Sequence, residues 1–380
     1  MLLALMGCRK EEVQGNGEEP RTSPVMLSQI AEILAELPIE SAQVQEVFDA
    51  VNSSISNGYD EEYTMSSLFA SPGRGVGEKA GGTKAAAYAT PLRDLFADYA
   101  NKRFTTKAGD PDPLSAEQFL KSIEESGAQI YWPYSGWDGK SLPVITYAPG
   151  FDTDVNNGYE IIVNPDGSRS IREIIVSEET ARTRPVWVVN SNDDSMYETL
   201  QTLRRDGLIV EPVQTKAESS EPSDARTLIL RNFMVTRSYD SWFGGASEFF
   251  VKAASIEDFT ASTEAELRLY QPSITDFMIV VKRKDIGLPL PMNSVLISKW
   301  TSQLEDIAFM IIEDDGGTLT SWKCEANVKL KSKTYGFDIE IPLYSRDDIV
   351  WRGKLSSSFL EKYHGKWGRF GDVAITFDFI

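Results

Sequence analysis

Apolar residues in the first third of the chain recur with the spacing of helices. Four stripes at i, i+3 and i+4 predict helices that begin near Ser23, Ser41, Pro91 and Ser115. Ser23-Pro24 supplies an N-cap followed by a proline at the first helical position, and Pro38 ends this first helix. We therefore expect residues 24–126 to be a helical region.

After Gly127 the period of apolar residues shortens toward two, which is typical of strands. Asn164-Pro165-Asp166-Gly167 has the composition of a hairpin turn, and a further helix is predicted from Asp193 to Arg205. We predict a small α+β unit over residues 127–214. Its predicted strands are 128–132, 144–147, 159–163, 171–176 and 186–189.

The remainder of the chain has almost only strand patterns. Residues 215–225 are polar and predict a linker, after which short strands and turn signals alternate to the end. Such a series is typical of an antiparallel sandwich over residues 226–380. The expected fold class is α+β. The predicted strands are 228–235, 248–253, 266–270, 276–281, 294–298, 307–312, 321–330, 335–341, 349–351 and 373–379.

Charge and residue counts exclude several kinds of function. The 380 residues have a net charge of -19, which argues against binding nucleic acid and against a basic membrane-binding patch. No window offers the ~20 apolar residues of a spanning helix. With His364 as the single histidine, a two-histidine zinc site is impossible. Cys8 and Cys324 are too few for a disulfide scaffold, and Cys324 is expected to be an ordinary strand residue.

The N-terminal sequence indicates where in the cell the protein is located. Leu5-Met6-Gly7-Cys8 follows a short apolar run and resembles the lipobox of bacterial lipoproteins, in which the cysteine is acylated. The run lacks a basic n-region, which is consistent with a signal that begins upstream of Met1. Lys10-Glu11-Glu12 resembles the surface-export signal of Bacteroidetes lipoproteins. The resemblance implies lipidation at Cys8 and an outer-membrane location; the alternative is an apolar terminus with an incidental cysteine. The polar composition of residues 11–22, without apolar periodicity, predicts a flexible tether within residues 1–23.

Aromatic residues are concentrated in one Gly- and Pro-containing segment. Tyr131, Trp132, Tyr134 and Trp137 lie within nine residues, and Trp242 has a similar setting. Flat rings beside polar groups are what a sugar-binding platform requires. Rings of this kind also fill the core beneath loops, so both interpretations stand at this point.

Acidic loops provide two candidates for calcium, which favours oxygen ligands. Asp152, Asp154 and Asn156 are spaced like the opening of an EF-hand loop, but the glycine falls late and Val163 replaces the bidentate acid. Later acids occur at Asp240, in Glu313-Asp314-Asp315 and in Asp347-Asp348. Calcium-binding sandwiches of the C2 type gather such loop carboxylates at one end, and this resemblance implies Asp314 and Asp315 as ligands. Both segments are also good turns between strands.

Three functional hypotheses follow. The first is a non-catalytic cell-envelope lipoprotein that binds a ligand, a glycan or another envelope protein, without a cofactor unless calcium binds. The second is a carboxylate-dependent hydrolase, which two facing carboxylates at ~5–10 Å in an open cleft would favour. The third is a structural component of an envelope complex.

Overall fold

The computed structural model describes residues 26–70, 88–104, 115–151, 153–192, 198–206 and 225–380. Cys8, the export-like segment, the tether and most of the predicted linker lie outside these residues. The helices are α1 (Leu27–Glu36), α2 (Ser41–Ser56), α3 (Met65–Ala70), α4 (Leu92–Arg103), α5 (Ala116–Glu124), α6 (Glu178–Thr183), α7 (Leu200–Arg205) and α8 (Ser357–Tyr363).

The strands of the first half are β1 (Glu62–Thr64), β2 (Ala128–Tyr131), β3 (Val144–Tyr147), β4 (Val155–Val163), β5 (Arg169–Ser177) and β6 (Val186–Ser191). Those of the second half are β7 (Arg226–Val235), β8 (Ser247–Ser255), β9 (Ser273–Val281), β10 (Leu290–Trp300), β11 (Leu304–Glu313), β12 (Leu319–Leu330), β13 (Lys333–Tyr344), β14 (Asp348–Ser356), β15 (Trp367–Phe370) and β16 (Val373–Phe379).

The first six strands form a mixed sheet in the order β1-β2-β6-β3-β4-β5. Its neighbours are antiparallel except for β3 and β6, which run parallel. The apolar face of α1, with Ile30 and Leu34, packs in one core with Trp132 and Trp187 of the sheet side. Because helices and strands share this core, the predicted boundary at 126/127 falls within one packed α+β unit.

The C-terminal part is an antiparallel β-sandwich, as the strand pattern predicts, and the fold class is α+β. A four-stranded sheet has the order β10-β7-β16-β15, and a large sheet has the order β13-β12-β11-β8-β9, with β14 also paired to β11. Inward-facing aromatic residues of both sheets form the core between them; these include Phe233, Phe249, Phe309 and Phe377.

Strand β8 is buried along its whole length, because both faces of the large sheet are covered near it. Phe249 and Val251 face the sandwich core, whereas Phe250 joins a second apolar cluster. That cluster also contains Met310 of β11 and Ile341 of the β12–β13 hairpin. The hairpin pairs with β11 only near Leu304 and Asp306, and it therefore packs over the outer side of the other strands of this sheet.

The loop between β7 and β8 joins the sandwich to the α+β unit. Trp242 and Phe243 pack against Tyr131 and Val188 of the mixed sheet. The Trp242 indole N–H donates to the Asp154 carbonyl at 3.0 Å. Gly245 has a φ of 140°, and an added Cβ would lie 2.8 Å from Asp60 Oδ2, so glycine is required there.

Three parts of the predicted pattern differ from the structure. The predicted strand 266–270 is wrong: Glu266–Leu269 is a 3₁₀ turn. The Glu266 carboxylate accepts hydrogen bonds from the Ser262 N–H and the Thr263 hydroxyl, which favours a local turn over pairing with a strand. The short elements α3, α6, α8, β1 and β15 were not predicted. Helix α7 begins at Leu200, and residues 193–197 of its predicted start lie outside the described residues.

Candidate metal centre

Three carboxylates meet at one end of the sandwich. Asp240 lies in the β7–β8 loop, Glu248 is the second residue of β8, and Glu313 is the last residue of β11. Glu313 is paired with Phe249 of β8, so the antiparallel ladder brings the ends of these strands together. We call Asp240, Glu248 and Glu313 the carboxylate cluster.

The loop that carries Asp240 is held by several hydrogen bonds. The Tyr239 N–H donates to the Ser247 hydroxyl at 3.0 Å. The Arg283 guanidinium donates to the Asp240 carbonyl at 3.1 Å and to the Ser238 hydroxyl at 2.9 Å. These contacts fix the loop backbone before any ligand binds, so the Asp240 side chain is positioned over the end of β8.

One carboxylate oxygen from each of the three residues lies within 4.8 Å of the other two. Oxygens bound to one calcium ion at ~2.3–2.6 Å can be at most about 5 Å apart, so this spacing suits a shared cation. Two of the three side chains are buried, since Glu313 is 1% exposed and Glu248 is 7% exposed, and Asp240 is partly buried. Buried carboxylates that approach each other so closely require a compensating charge or a proton.

The electrostatic state of the cluster reflects that requirement. Burial, followed by the nearby Asp240 carboxylate, raises the pKa of Glu313 far above its ordinary value. Burial also raises the pKa of Asp240, although the Arg283 guanidinium opposes this change. Among the described groups, no donor meets hydrogen-bond geometry with Glu313 Oε1 or Asp240 Oδ2, and the two carboxyl groups face each other. Without a cation, the two carboxyl groups must therefore hold a proton between them at neutral pH.

The donor set identifies the kind of metal that would fit. All three ligands are carboxylate oxygens, which suit hard cations such as Ca²⁺ and Mg²⁺. The three groups come from a loop and two strand ends, and Ca²⁺ accepts the irregular geometry of such a set more readily than Mg²⁺ does. A fourth carboxyl group, Asp315, lies nearby, and its pKa is raised by burial and then by the Asp240 carboxylate. The arrangement can bind a cation and needs no catalytic group to do so.

Of the two calcium ligands predicted in the loop after β11, only one lies near the carboxylate cluster. Asp315 lies beside the carboxylate cluster. Asp314 instead accepts from the Gly316 N–H at 3.0 Å and faces Asp347. Asp314 therefore helps to form the predicted turn after β11.

The described part of the EF-hand-like segment leads into a strand, since β4 begins at Val155. Asn156 belongs to β4, and its side-chain amide donates to the Tyr147 carbonyl at 2.8 Å. The carbonyl of Asp154 accepts from Trp242, and Asp152 lies outside the described residues. The structure brings neither Asp154 nor Asn156 to the carboxylate cluster.

The predicted aromatic platform is placed in the interior. Tyr131 and Trp132 are fully buried, and Trp242 is 3% exposed. Tyr134 is half-buried and donates its hydroxyl to Glu178. Trp137 packs on Phe48 with ring centroids 6.1 Å apart. Three of the rings, Tyr131, Trp132 and Trp242, thus belong to the cores on the two sides of the mixed sheet. Tyr134 and Trp137 pack against these cores as partly buried rings.

Sequence reasoning missed Glu248 because it lies in a run that reads as a buried strand. The feature that could have identified it is an acid directly before the apolar run Phe249-Phe250-Val251. A buried charge is costly there unless it has a partner or a ligand. Cys324 lies in β12 as predicted, and burial raises the pKa of its thiol to about 11, which makes it a poor nucleophile. His364 is half-exposed and contacts Asp378.

Comparison with known proteins adds no relative. No protein-family model matches the chain, and no curated protein and no solved structure matches it either. Within the described residues, none of the helices has both the length and the apolar character that crossing a membrane would demand. The geometry of the site and the N-terminal sequence pattern are therefore the two indications of function.

Proposed function

We propose that this chain is a cell-envelope lipoprotein whose β-sandwich binds Ca²⁺ and serves as a non-catalytic binding module for another envelope molecule. The observation that carries the proposal is the carboxylate cluster. Three acids from separate segments converge within 4.8 Å, and the buried Glu313 Oε1 has no hydrogen-bond donor among the described groups. A cation would satisfy these oxygens and replace the proton that they must otherwise share.

Isothermal titration of the metal-free protein with Ca²⁺ tests the cation site. Wild type should bind with a Kd within the range of about 10⁻⁹–10⁻³ M that protein calcium sites span. Glu313→Gln should weaken binding by tenfold or more (about 1.4 kcal/mol), because a neutral amide replaces the most buried ligand. Glu340→Gln makes the same change of charge on the exposed side of β13 and should leave the affinity unchanged.

Two outcomes would contradict the proposal for the site. One is the absence of Ca²⁺ binding to wild type, and the other is equal affinity in wild type and Glu313→Gln. If Mg²⁺ bound more tightly than Ca²⁺, the cluster would still be a cation site but the proposed ion would be wrong. Unfolding temperatures of both variants without metal would show whether either substitution disturbs the fold.

The lipoprotein assignment is supported by Leu5-Met6-Gly7-Cys8 and the following Lys10-Glu11-Glu12. Expression from the full reading frame in a bacterial host with a clickable palmitate analogue tests it. The product should carry the label and sediment with the outer membrane, whereas Cys8→Ser should carry none. An unlabelled product from the wild-type frame would refute both the anchor and the proposed location.

The hydrolase hypothesis has one observation in its favour. Asp314 and Asp347 face each other, and burial together with Asp314 raises the pKa of Asp347 to about 6. A pair of unequal carboxyl groups can act as acid and base. Turnover of a glycan or peptide by wild type, lost in Asp347→Asn, would favour a hydrolase. The absence of turnover favours the binding module.

A further inference from the structure

A cleft of about 240 Å³ opens between strands β8, β9 and β11 on one side and the β12–β13 hairpin on the other. Its floor is apolar, since the buried side chains of Phe250, Ile312 and Leu343 line it. Leu319, which is 66% exposed, adds apolar surface that reaches the solvent. Pockets for whole small molecules usually measure about 300–1,000 Å³, so this cleft is better matched to one long side chain.

The charges that line the cleft are unequal. Its one basic residue, Lys252, is already paired with Asp276 at 2.7 Å and lies 5.2 Å from the ring centroid of Phe250. Asp314 and Asp347 also line the cleft, and among the described side chains neither has a basic partner within 4.0 Å. The cleft therefore has an apolar floor and an excess of negative charge.

Asp314 and Asp347 are preorganised to receive a positive group. The Gly316 N–H holds Asp314 at 3.0 Å, and the Tyr344 N–H holds Asp347 at 2.7 Å. Among the described residues, no donor meets hydrogen-bond geometry with Asp347 Oδ1, although the Asp315 N–H faces the same carboxyl group. Two fixed carboxylates that face each other repel, and a cation between them would relieve that repulsion.

We propose that the cleft binds the side chain of an arginine or lysine presented by a protein partner. The aliphatic stem would lie on Phe250, Ile312 and Leu343, while the charged end would reach Asp314 and Asp347. Arginine fits best, since its planar guanidinium can contact two carboxylates at once. The net charge of -19 would also attract a basic partner from a distance. This inference rests on the proposed binding function and specifies the chemistry of the partner.

Calorimetric titration with the peptide acetyl-Leu-Arg-Leu-amide tests the inference on the whole protein. The peptide should bind to wild type, and its citrulline analogue, which has nearly the same shape without the charge, should bind at least about tenfold more weakly. The double variant Asp314→Asn, Asp347→Asn should bind the arginine peptide more weakly than wild type by a similar factor. Asp338→Asn with Glu340→Gln removes two charges from the exposed side of the same hairpin and should have little effect.

Several results would overturn the inference. These are no binding of the arginine peptide, equal binding of the citrulline peptide, or equal binding by the Asp314 and Asp347 double variant. Agmatine that binds as tightly as the peptide would show that the occupant is a free amine and not a protein side chain. The citrulline comparison uses wild type alone, so it decides the matter even if the double variant does not fold.

The inference and the proposed function fail in different ways. If Ca²⁺ binds to the carboxylate cluster but the arginine peptide does not bind, the cation site stands and only the inferred partner is wrong. If the peptide binds but Ca²⁺ does not, the cleft stands and the calcium-dependent part of the proposed function is wrong. Both titrations use the same preparation, so the two outcomes can be separated.

Discussion

Replacement of Trp242 by alanine should uncouple the α+β unit from the sandwich. The indole is 3% exposed, lies 3.8 Å from the Phe243 ring between centroids, and donates to the Asp154 carbonyl at 3.0 Å. Removal of a buried Trp typically costs about 3–5 kcal/mol through lost transfer energy and the cavity left behind. The lost hydrogen bond adds about 1 kcal/mol. We therefore expect Trp242→Ala to destabilise the folded protein by about 5 kcal/mol.

Urea unfolding followed by circular dichroism measures this loss, and hydrogen exchange locates it. Protection should fall in the mixed sheet at β2 and β6 before it falls in the sandwich strand β11. Trp367→Ala is the matched control, because Trp367 is 45% exposed and its loss should cost less than about 1 kcal/mol. Equal stability of the two variants would refute the view that the β7–β8 loop joins the two parts.

Two further predictions concern single buried positions. Burial raises the pKa of Glu46 to about 7, despite hydrogen bonds from the Leu92 N–H and the Tyr63 hydroxyl. Because this pKa is above the value in the unfolded chain, the folded state binds the proton more tightly. The free energy of unfolding of wild type should therefore fall by about 3 kcal/mol as the pH rises from about 4.5 to 7. The Glu46→Gln variant should lose less free energy of unfolding than wild type between these two pH values, as measured by urea titration at each pH. An equal loss in the two proteins would contradict the assignment of this pH dependence to Glu46. Gly245→Ala should lower the free energy of unfolding by about 2 kcal/mol, because its Cβ would strike Asp60 at a φ of 140°; an unchanged urea midpoint would count against this.

The apolar pattern of the sequence was sufficient to place helices and strands in segments whose buried residues recur with a regular period. Helices α2 and α4 and strands β3 and β16 are found where the apolar spacing predicts them. The pattern was insufficient where local hydrogen bonds decide the structure. The alternation in Glu266–Leu269 resembles a strand, but the Glu266 carboxylate closes a turn with Ser262 and Thr263.

The candidate site was predictable only in part. Asp240, Glu313 and Asp315 were recognisable as loop acids that a sandwich could gather at one end. Their convergence depends on the register of β8 against β11, which pairs Glu313 with Phe249 and which no short motif encodes. Glu248 was hidden within a strand pattern. The burial of Trp132 and Trp242 depends on the packing of the mixed sheet, so composition alone could not separate a platform from a core.

The most direct test of the central claim is a crystal structure of the protein soaked in Tb³⁺ or Ca²⁺, with anomalous scattering used to locate the ion. We expect one strong peak bound by oxygens of Asp240, Glu248 and Glu313 at about 2.3–2.6 Å. This expectation would be contradicted by a cluster without an ion at saturating Ca²⁺, in which Glu313 and Asp240 share a short hydrogen bond instead.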